Sequence, residues 1–161
     1  MEILDLYDDS GNKLDETIIR GTKPSNGKNI MLSVVFIKNK EEKYLIQKSS
    51  KEKGGFYTTT GGHVTHNENG ITTIIREMQE EIGLNVRKDD LVHINTIKYP
   101  DRYCLFDIYL YEIDNIDLSN LILQKEEVES VLWLSREEII NLIRSGAFLT
   151  SHGYIFKNYI I

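Results

Sequence analysis

A chain of 161 residues has the usual length of one domain and is long enough to bury a hydrophobic core, so we predict a single domain over residues 1–161. Hydrophobic residues make up 40% of the chain and charged residues 27%, which is typical of a soluble globular protein. The net charge of −6 argues against a nucleic-acid partner held by a basic surface. It does not exclude an anionic substrate, because bound metal ions can reverse the local field.

Cysteine content and the N-terminus bear on the compartment. The single cysteine, Cys104, allows no intramolecular disulfide, which fits a reducing environment. Residues 1–5 are acidic and lack the basic start and long apolar run of a signal peptide. No apolar stretch approaches the length that crosses a bilayer. We therefore expect a cytoplasmic protein without a membrane partner.

The first third of the chain has the pattern of four strands. Residues 1–20 predict an N-terminal β-hairpin that turns over residues 8–12, where Gly11 can adopt a positive φ. A loop rich in turn-forming residues follows, and then residues 30–38 form a nearly continuous apolar strand. Residues 44–47 predict the return strand after a polar turn.

The rest of the chain adds strands and a second capped helix. Strand-like composition recurs at residues 56–60, 91–99, 103–113 and 129–134. Ser135 can cap a helix over residues 136–144, with Glu138 as its capping-box partner. The C-terminal residues 147–161 are apolar enough to pack back onto the body. Strands with helices at two separated points predict an α/β sandwich built on a mixed sheet.

The most informative stretch is residues 62–84, GHVTHNENGITTIIREMQEEIGL. In a helix, Glu77, Glu80 and Glu81 share one face, because each residue turns about 100° around the axis. The opposite face carries apolar side chains at helical spacing: Ile71, Ile74, Ile75, Met78 and Ile82. Carboxylates this close repel one another, and a bound hard divalent cation such as Mg²⁺ commonly offsets that repulsion.

Boundary signals agree with a helix in this stretch. Asn67 and Asn69 are both suitable N-caps, and Gly83 stands where a left-handed C-cap belongs. Gly61 and Gly62 let the backbone approach whatever the carboxylates hold. A glycine-rich strand end that leads into an acidic helix suits a metal-bound polyphosphate.

This stretch resembles the Nudix box, whose pattern is Gly, five residues, Glu, seven residues, Arg-Glu, an aliphatic, any residue, Glu-Glu, any residue, Gly and an aliphatic. Every position is filled, by Gly62, Glu68, Arg76, Glu77, Met78, Glu80, Glu81, Gly83 and Leu84. The resemblance implies an α/β/α sandwich with the box as loop, helix and loop. It implies hydrolysis of a diphosphate with Mg²⁺, for which Mn²⁺ could substitute.

The resemblance also implies roles for single residues. The metal ligands would be Glu77, Glu80, Glu81 and the backbone carbonyl of Gly62, and Glu77 could deprotonate the attacking water. Glu68 and Arg76 would form an ion pair that ties the loop to the helix. The alternative for Arg76 is a solvated cation that pairs with Glu80. In some family members the general base lies outside the helix, and the candidates here are Glu126, Glu127 and Glu129.

Other residues have two interpretations each. Lys48, Lys51 and Lys53 precede the box and could meet phosphate oxygens or be solvated. His63 and His66 flank the predicted metal loop, and for His63 we favour a structural role. Four tyrosines, Tyr99, Tyr103, Tyr109 and Tyr111, could stack on a base or sugar, but packing is the more ordinary role of aromatic residues in strands. We expect Trp133 and Cys104 to pack in the interior.

Residues 44–48 and 60–64, with the hairpin, resemble the small Nudix hydrolases similar to isopentenyl-diphosphate isomerases. Isomerisation is one alternative, but residues 56–60 lack the isomerase thiol and the chain lacks a Trp-x-Glu-His-Glu stretch. A diphosphate-binding module that has lost catalysis is the other. The intact glutamates favour hydrolysis of a nucleoside diphosphate derivative or a similarly linked small diphosphate. The hairpin could also pair two copies into a homodimer.

Overall fold

The computed structural model describes all 161 residues. The strands are β1 (Ile3–Tyr7), β2 (Lys13–Ile19), β3 (Ile30–Lys38), β4 (Lys43–Ser49), β5 (Tyr57–Thr58), β6 (Thr60–His63), β7 (Leu91–Lys98), β8 (Cys104–Glu112) and β9 (Val128–Ser135). The helices are α1 (Gly70–Ile82), α2 (Arg136–Arg144) and α3 (Thr150–Ile155), and α3 continues into a π-helical turn. Short 3₁₀ turns occupy Lys51–Lys53, Lys88–Asp90 and Leu118–Asn120.

Strand β3 is central to a seven-stranded mixed sheet. It pairs in parallel with β8 along its whole length, and β8 pairs antiparallel with β7. On its other edge β3 meets β6 and the start of β4 antiparallel. Strand β4 in turn pairs with β9 and β5. The predicted mixed sheet is therefore confirmed, and the one long parallel pair lies at its centre.

Alternating side chains of β3 build two separate cores. Val34 and Phe36 face a core that includes Ile139 of α2 and Ile155 of α3. Val35 and Ile37 face the opposite core, which α1 completes with Ile74, Met78 and Ile82. Because successive strand residues point to opposite faces, a continuous apolar run is what a sheet covered on both sides requires. The predicted α/β/α sandwich is confirmed.

The expected strand over residues 56–60 is divided at Thr59. Tyr57 and Thr58 pair with β4, whereas Thr60 begins the pairing with β3. Backbone groups at such a crossing lose their ladder partners and need others. The hydroxyl of Thr59 donates to the carbonyl of Val35, and its N–H donates to His152 Nδ1 at 3.2 Å.

The N-terminal hairpin packs on the loop that leads into α1. Leu4 is fully buried and forms a β-bridge with Thr65. The His66 N–H donates to the carbonyl of Ile3 at 2.8 Å, and Asp5 accepts from the Asn67 N–H at 3.0 Å. The hairpin therefore supports this loop from outside the main sheet. None of the helices has the length and apolar character needed to span a bilayer.

Candidate functional site

Helix α1 begins and ends at residues that cap it. Asn69 accepts a hydrogen bond from the Thr72 N–H at 3.0 Å, and Thr72 Oγ1 accepts one from the Asn69 N–H at 3.1 Å. Asn67, the other candidate cap, lies in the loop with a φ of 68°. At the other end, Gly83 has the left-handed conformation expected of a C-cap, with a φ of 69°. These caps position one face of α1 beside β6.

The predicted ion pair between Glu68 and Arg76 is present and bidentate. Arg76 Nε and Nη2 donate to the two carboxylate oxygens of Glu68 at 2.9 and 3.0 Å. Glu68 also accepts from the hydroxyls of Thr65 and Thr73. The hydrogen bonds from Arg76, followed by those from its other donors, lower the pKa of Glu68 to about 2. The loop before α1 is thus fixed to the helix.

The third guanidinium nitrogen of Arg76 links this pair to the acidic face. Nη1 donates to Glu77 Oε1 at 2.9 Å and to Glu80 Oε2 at 3.3 Å. The side chain of Glu80 is 46% exposed, whereas that of Glu77 is only 15% exposed. The two expected roles of Arg76, pairing with Glu68 and pairing with Glu80, therefore occur together.

Glu81 has the most unusual environment of the three carboxylates on α1. Burial, and then the neighbouring Glu77, raise the pKa of Glu81 to about 8. Its Oε1 atom is buried and has no hydrogen-bond partner. Burial also raises the pKa of Glu77, although Arg76 opposes that shift. A buried carboxylate oxygen without a partner is costly, so this position favours a ligand that supplies positive charge.

Gly62 lies directly against Glu77. A Cβ atom on Gly62 would overlap the carboxylate of Glu77, so any larger residue here would displace that carboxylate from its present position. No three acidic, histidine or cysteine side chains form a ready metal cage. Arg76 holds Glu77 and Glu80 in this structure. The donors nevertheless fit a hard divalent cation, since they are carboxylate oxygens and Glu81 Oε1 is unpartnered.

Two adjoining cavities surround these carboxylates. The outer cleft, of about 270 Å³, contains the three α1 glutamates, Arg76 and Gly62, and the hairpin contributes Glu2 and Arg20 to it. The inner cavity, of about 170 Å³, shares four lining residues with the cleft: Lys53, Gly61, Glu81 and Glu127. A larger surface concavity of about 690 Å³ lies near the β3–β4 turn but contains none of the box glutamates. The chemistry therefore points to the smaller pair of cavities.

Only one of the three loop glutamates reaches the cleft. Glu127 lines both cavities, and its Oε1 atom lies 3.3 Å from Lys53 Nζ. Glu126 lines a separate surface depression, and Glu129 is exposed. The loop is held because the Ser50 N–H donates to the carbonyl of Glu127 at 3.0 Å.

Of the three lysines considered from the sequence, Lys53 lies at the cleft. Lys48 Nζ lies 4.7 Å from the centre of the Tyr57 ring, and Lys51 borders the depression that contains Glu126. His63 lines the cleft, where burial and then Arg20 lower its pKa to about 4. His66 bonds Asp5 at 2.7 Å and serves the hairpin contact.

The four tyrosines, Trp133 and Cys104 considered from the sequence lie outside the outer cleft and the inner cavity. Tyr99 packs edge-on against Phe106, Tyr109 is buried and donates to Asp107, and Tyr103 lies beneath Lys23. Tyr111 and Trp133 are partly buried against the α1 core. Cys104 is partly buried on β8.

Sequence reasoning did not find His152, which lines the inner cavity. This histidine belongs to a C-terminal segment that the sequence indicated only as packing, and no motif surrounds it. Burial lowers its pKa to about 4. Glu2 and Arg20 were also missed, since only the folding of the hairpin brings them to the cleft.

A model of the NUDIX domain matches residues 30–153 of this chain. The chain belongs to the Nudix family. An uncharacterized Nudix hydrolase of Listeria monocytogenes is 30% identical over 165 residues, covering 98% of this chain and 92% of that protein. An 8-oxo-dGTP diphosphatase of Proteus vulgaris is 35% identical over 57 residues, which cover 35% of this chain and 51% of that protein.

The Nudix fold is also found by structural comparison. A Deinococcus radiodurans protein of known crystal structure superposes with a TM-score of 0.74 at 18% identity, with 91% of both chains covered. At that identity the likeness shows the fold alone. Members of the Nudix hydrolase family generally act on nucleoside diphosphate derivatives, and this chain is a member. The hairpin, including Glu2 and Arg20, precedes the matched residues.

Proposed function

We propose that this protein hydrolyses the diphosphate linkage of a small nucleoside diphosphate derivative or a similarly linked diphosphate, with Mg²⁺ as cofactor. The observation that carries the proposal is the buried, unpartnered Oε1 atom of Glu81 beside Glu77 in the outer cleft. A buried carboxylate that lacks a partner favours a bound cation, and a diphosphate needs the same cation.

The ligands in this proposal are Glu77, Glu80, Glu81 and the Gly62 carbonyl. When bound, the metal would neutralise the phosphate oxygens and lower the pKa of a ligated water. Arg76, itself fixed by Glu68, orients Glu77 and Glu80.

A carboxylate of the chain takes the proton of the attacking water as the water oxygen bonds to phosphorus and the bridging P–O bond breaks. Glu127 is the favoured base outside the helix, because it alone of the three loop candidates lines the cleft. Glu77 is the alternative within the helix.

We also propose that the protein belongs to the subgroup of Nudix hydrolases that are similar to isopentenyl-diphosphate isomerases. The N-terminal hairpin supports this assignment. Isomerisation itself has no support from the cleft, because Cys104 does not line it.

The outer edge of β2 pairs with no other strand, so a homodimer through the hairpin stays a hypothesis. A cytoplasmic location stays a prediction from the single cysteine.

The test is hydrolysis of a panel of nucleoside triphosphates, dinucleoside polyphosphates, nucleotide sugars and isopentenyl diphosphate, after metal removal and again after Mg²⁺ is restored. We expect Mg²⁺-dependent release of phosphate products from at least one nucleoside diphosphate derivative. Glu77→Gln and Glu81→Gln should each lower turnover by roughly 10²–10⁴. In the same assay Glu127→Gln should slow turnover, whereas the neighbouring Glu126→Gln should not. Normal rates in both box variants would remove these residues from the mechanism.

A further inference from the structure

His152 is held by one ring nitrogen and leaves the other free. Its Nδ1 atom accepts from the Thr59 N–H at 3.2 Å, at the crossing between β5 and β6. A ring nitrogen that accepts a hydrogen bond carries no proton, so the proton of the neutral imidazole resides on Nε2. The ring is neutral in this environment, because burial keeps its pKa low. His152 is therefore a fixed, uncharged hydrogen-bond donor.

The free donor has access to the inner cavity. Nε2 has no protein partner within hydrogen-bond distance, yet it is not among the fully enclosed unpartnered atoms. The only cavity described at His152 is the one of about 170 Å³. An N–H group that reaches a cavity without a protein acceptor is available to a ligand.

The inner cavity has the size and lining of a site for one polar ring. For comparison, a cavity of about 150 Å³ accommodates benzene. Ser49 and Thr58 supply hydroxyl groups, and Phe56, which is 39% exposed, supplies an aromatic surface at the rim. Since Glu81 lines both cavities, a diphosphate in the outer cleft would extend its attached group into the inner cavity.

We propose that His152 is a substrate-binding residue whose Nε2–H donates to an oxygen of the sugar ring attached to the diphosphate, with Phe56 bordering that ring. This inference rests on the proposed function and narrows it to nucleoside diphosphate derivatives and sugar-linked diphosphates. A diphosphate with only a hydrocarbon attached offers no acceptor to this donor and gains nothing from it.

The experiment measures equilibrium binding by calorimetry in Mg²⁺, using α,β-methylene-ADP and methylenediphosphonate, which lacks a sugar. Neither probe is hydrolysed at the methylene bridge, so binding is measured apart from turnover. His152→Asn keeps an acceptor for the Thr59 N–H but removes the Nε2 donor. This variant should weaken the binding of α,β-methylene-ADP roughly 3- to 10-fold, as expected for the loss of one hydrogen bond. Methylenediphosphonate should bind as before.

Two further variants keep the inference testable if His152→Asn folds poorly. Phe56→Ala, at the exposed rim, should weaken the binding of α,β-methylene-ADP but not that of methylenediphosphonate. His93→Asn, at a histidine outside both cavities, should change neither affinity. Equal affinity of the wild type for the two probes, or equal losses for both in His152→Asn, overturns the inference. Absence of hydrolysis across the substrate panel instead overturns the proposed function, so the two failures are distinct.

Discussion

At the scale of single residues, identical carboxylates behave differently because their surroundings differ. Glu68 is held ionised by Arg76, which lowers its pKa to about 2. Glu81 is kept from water, which raises its pKa to about 8. Glu68 is thus a structural anion, whereas Glu81 of the same motif is a carboxylate whose charge needs a partner. The difference lies in hydrogen-bond donors and burial.

The Glu68 anion should make stability depend on pH. Its folded-state pKa lies below the ordinary value of 4.5, so the stabilisation is fully present above about pH 4.5 and is lost as the pH falls toward 2. Glu68→Gln should therefore lower the free energy of unfolding by about 1–2 kcal/mol at pH 7, after allowance for the partial exposure of the pair. The deficit relative to the wild type should shrink between pH 5 and pH 2 in urea titrations.

The matched control is Glu16→Gln, which breaks an exposed ion pair with Lys28. Exposed pairs contribute little, so this variant should lie within about 0.5 kcal/mol of the wild type at pH 7. A Glu68→Gln deficit that stays constant across the pH range would show that the ion pair is not its source.

At the scale of elements, α1 is defined by its caps. Asn69 and Thr72 form a reciprocal capping box, and the same arrangement occurs at Ser135 and Glu138 of α2. Unpaired N–H groups in the first turn explain why both helices begin at a side chain that can accept.

Truncating the α1 cap should destabilise the protein measurably. Asn69→Ala leaves the Thr72 N–H without its side-chain acceptor and should cost about 1 kcal/mol. Asn67→Gly is the control, because glycine accepts the positive φ at that position and the Asn67 N–H still reaches Asp5. Thermal unfolding of both variants decides between the two asparagines. A larger loss from Asn67→Gly would contradict the assignment of the cap.

At the scale of the whole molecule, the hairpin supports a loop that is distant in sequence. Tyr7 of β1 packs with Val64 in a small core that also contains Met31 and Leu105. The bridge between Leu4 and Thr65 extends this contact into the loop before α1. The loop before α1 is therefore held from two sides, by Arg76 within the domain and by the hairpin outside the main sheet.

Loosening the hairpin should affect the loop as well as stability. Leu4→Ala opens a cavity at a fully buried position and should cost about 2–5 kcal/mol. The His66 N–H, which donates to the carbonyl of Ile3, should then exchange with solvent faster in hydrogen-exchange measurements. Ile19→Ala, an exposed truncation in the same hairpin, is the control and should change neither quantity. If the exchange rate of the His66 N–H is unchanged in Leu4→Ala, the hairpin does not hold the loop in place.

Local patterns predicted much of this protein, because caps, turns and periodicity act over a few residues. Residues 30–38 and 136–144 match strand β3 and helix α2 as they were expected. Capping residues and periodicity predicted α1 for the same reason, whereas the pair of Glu68 with Arg76 was expected from the resemblance to the Nudix box.

The tertiary structure alone decided which of these groups meet. Glu127 reaches the cleft and Glu126 does not, because the loop is anchored at Ser50. His152 meets Thr59 across 93 residues only because α3 packs beside the point where the chain crosses between strands. Short-range preferences determined the helices, the strands and the acidic face of α1. Burial and long-range contacts determined which carboxylate is kept from water and which donors face the cavities, because no local pattern encodes them.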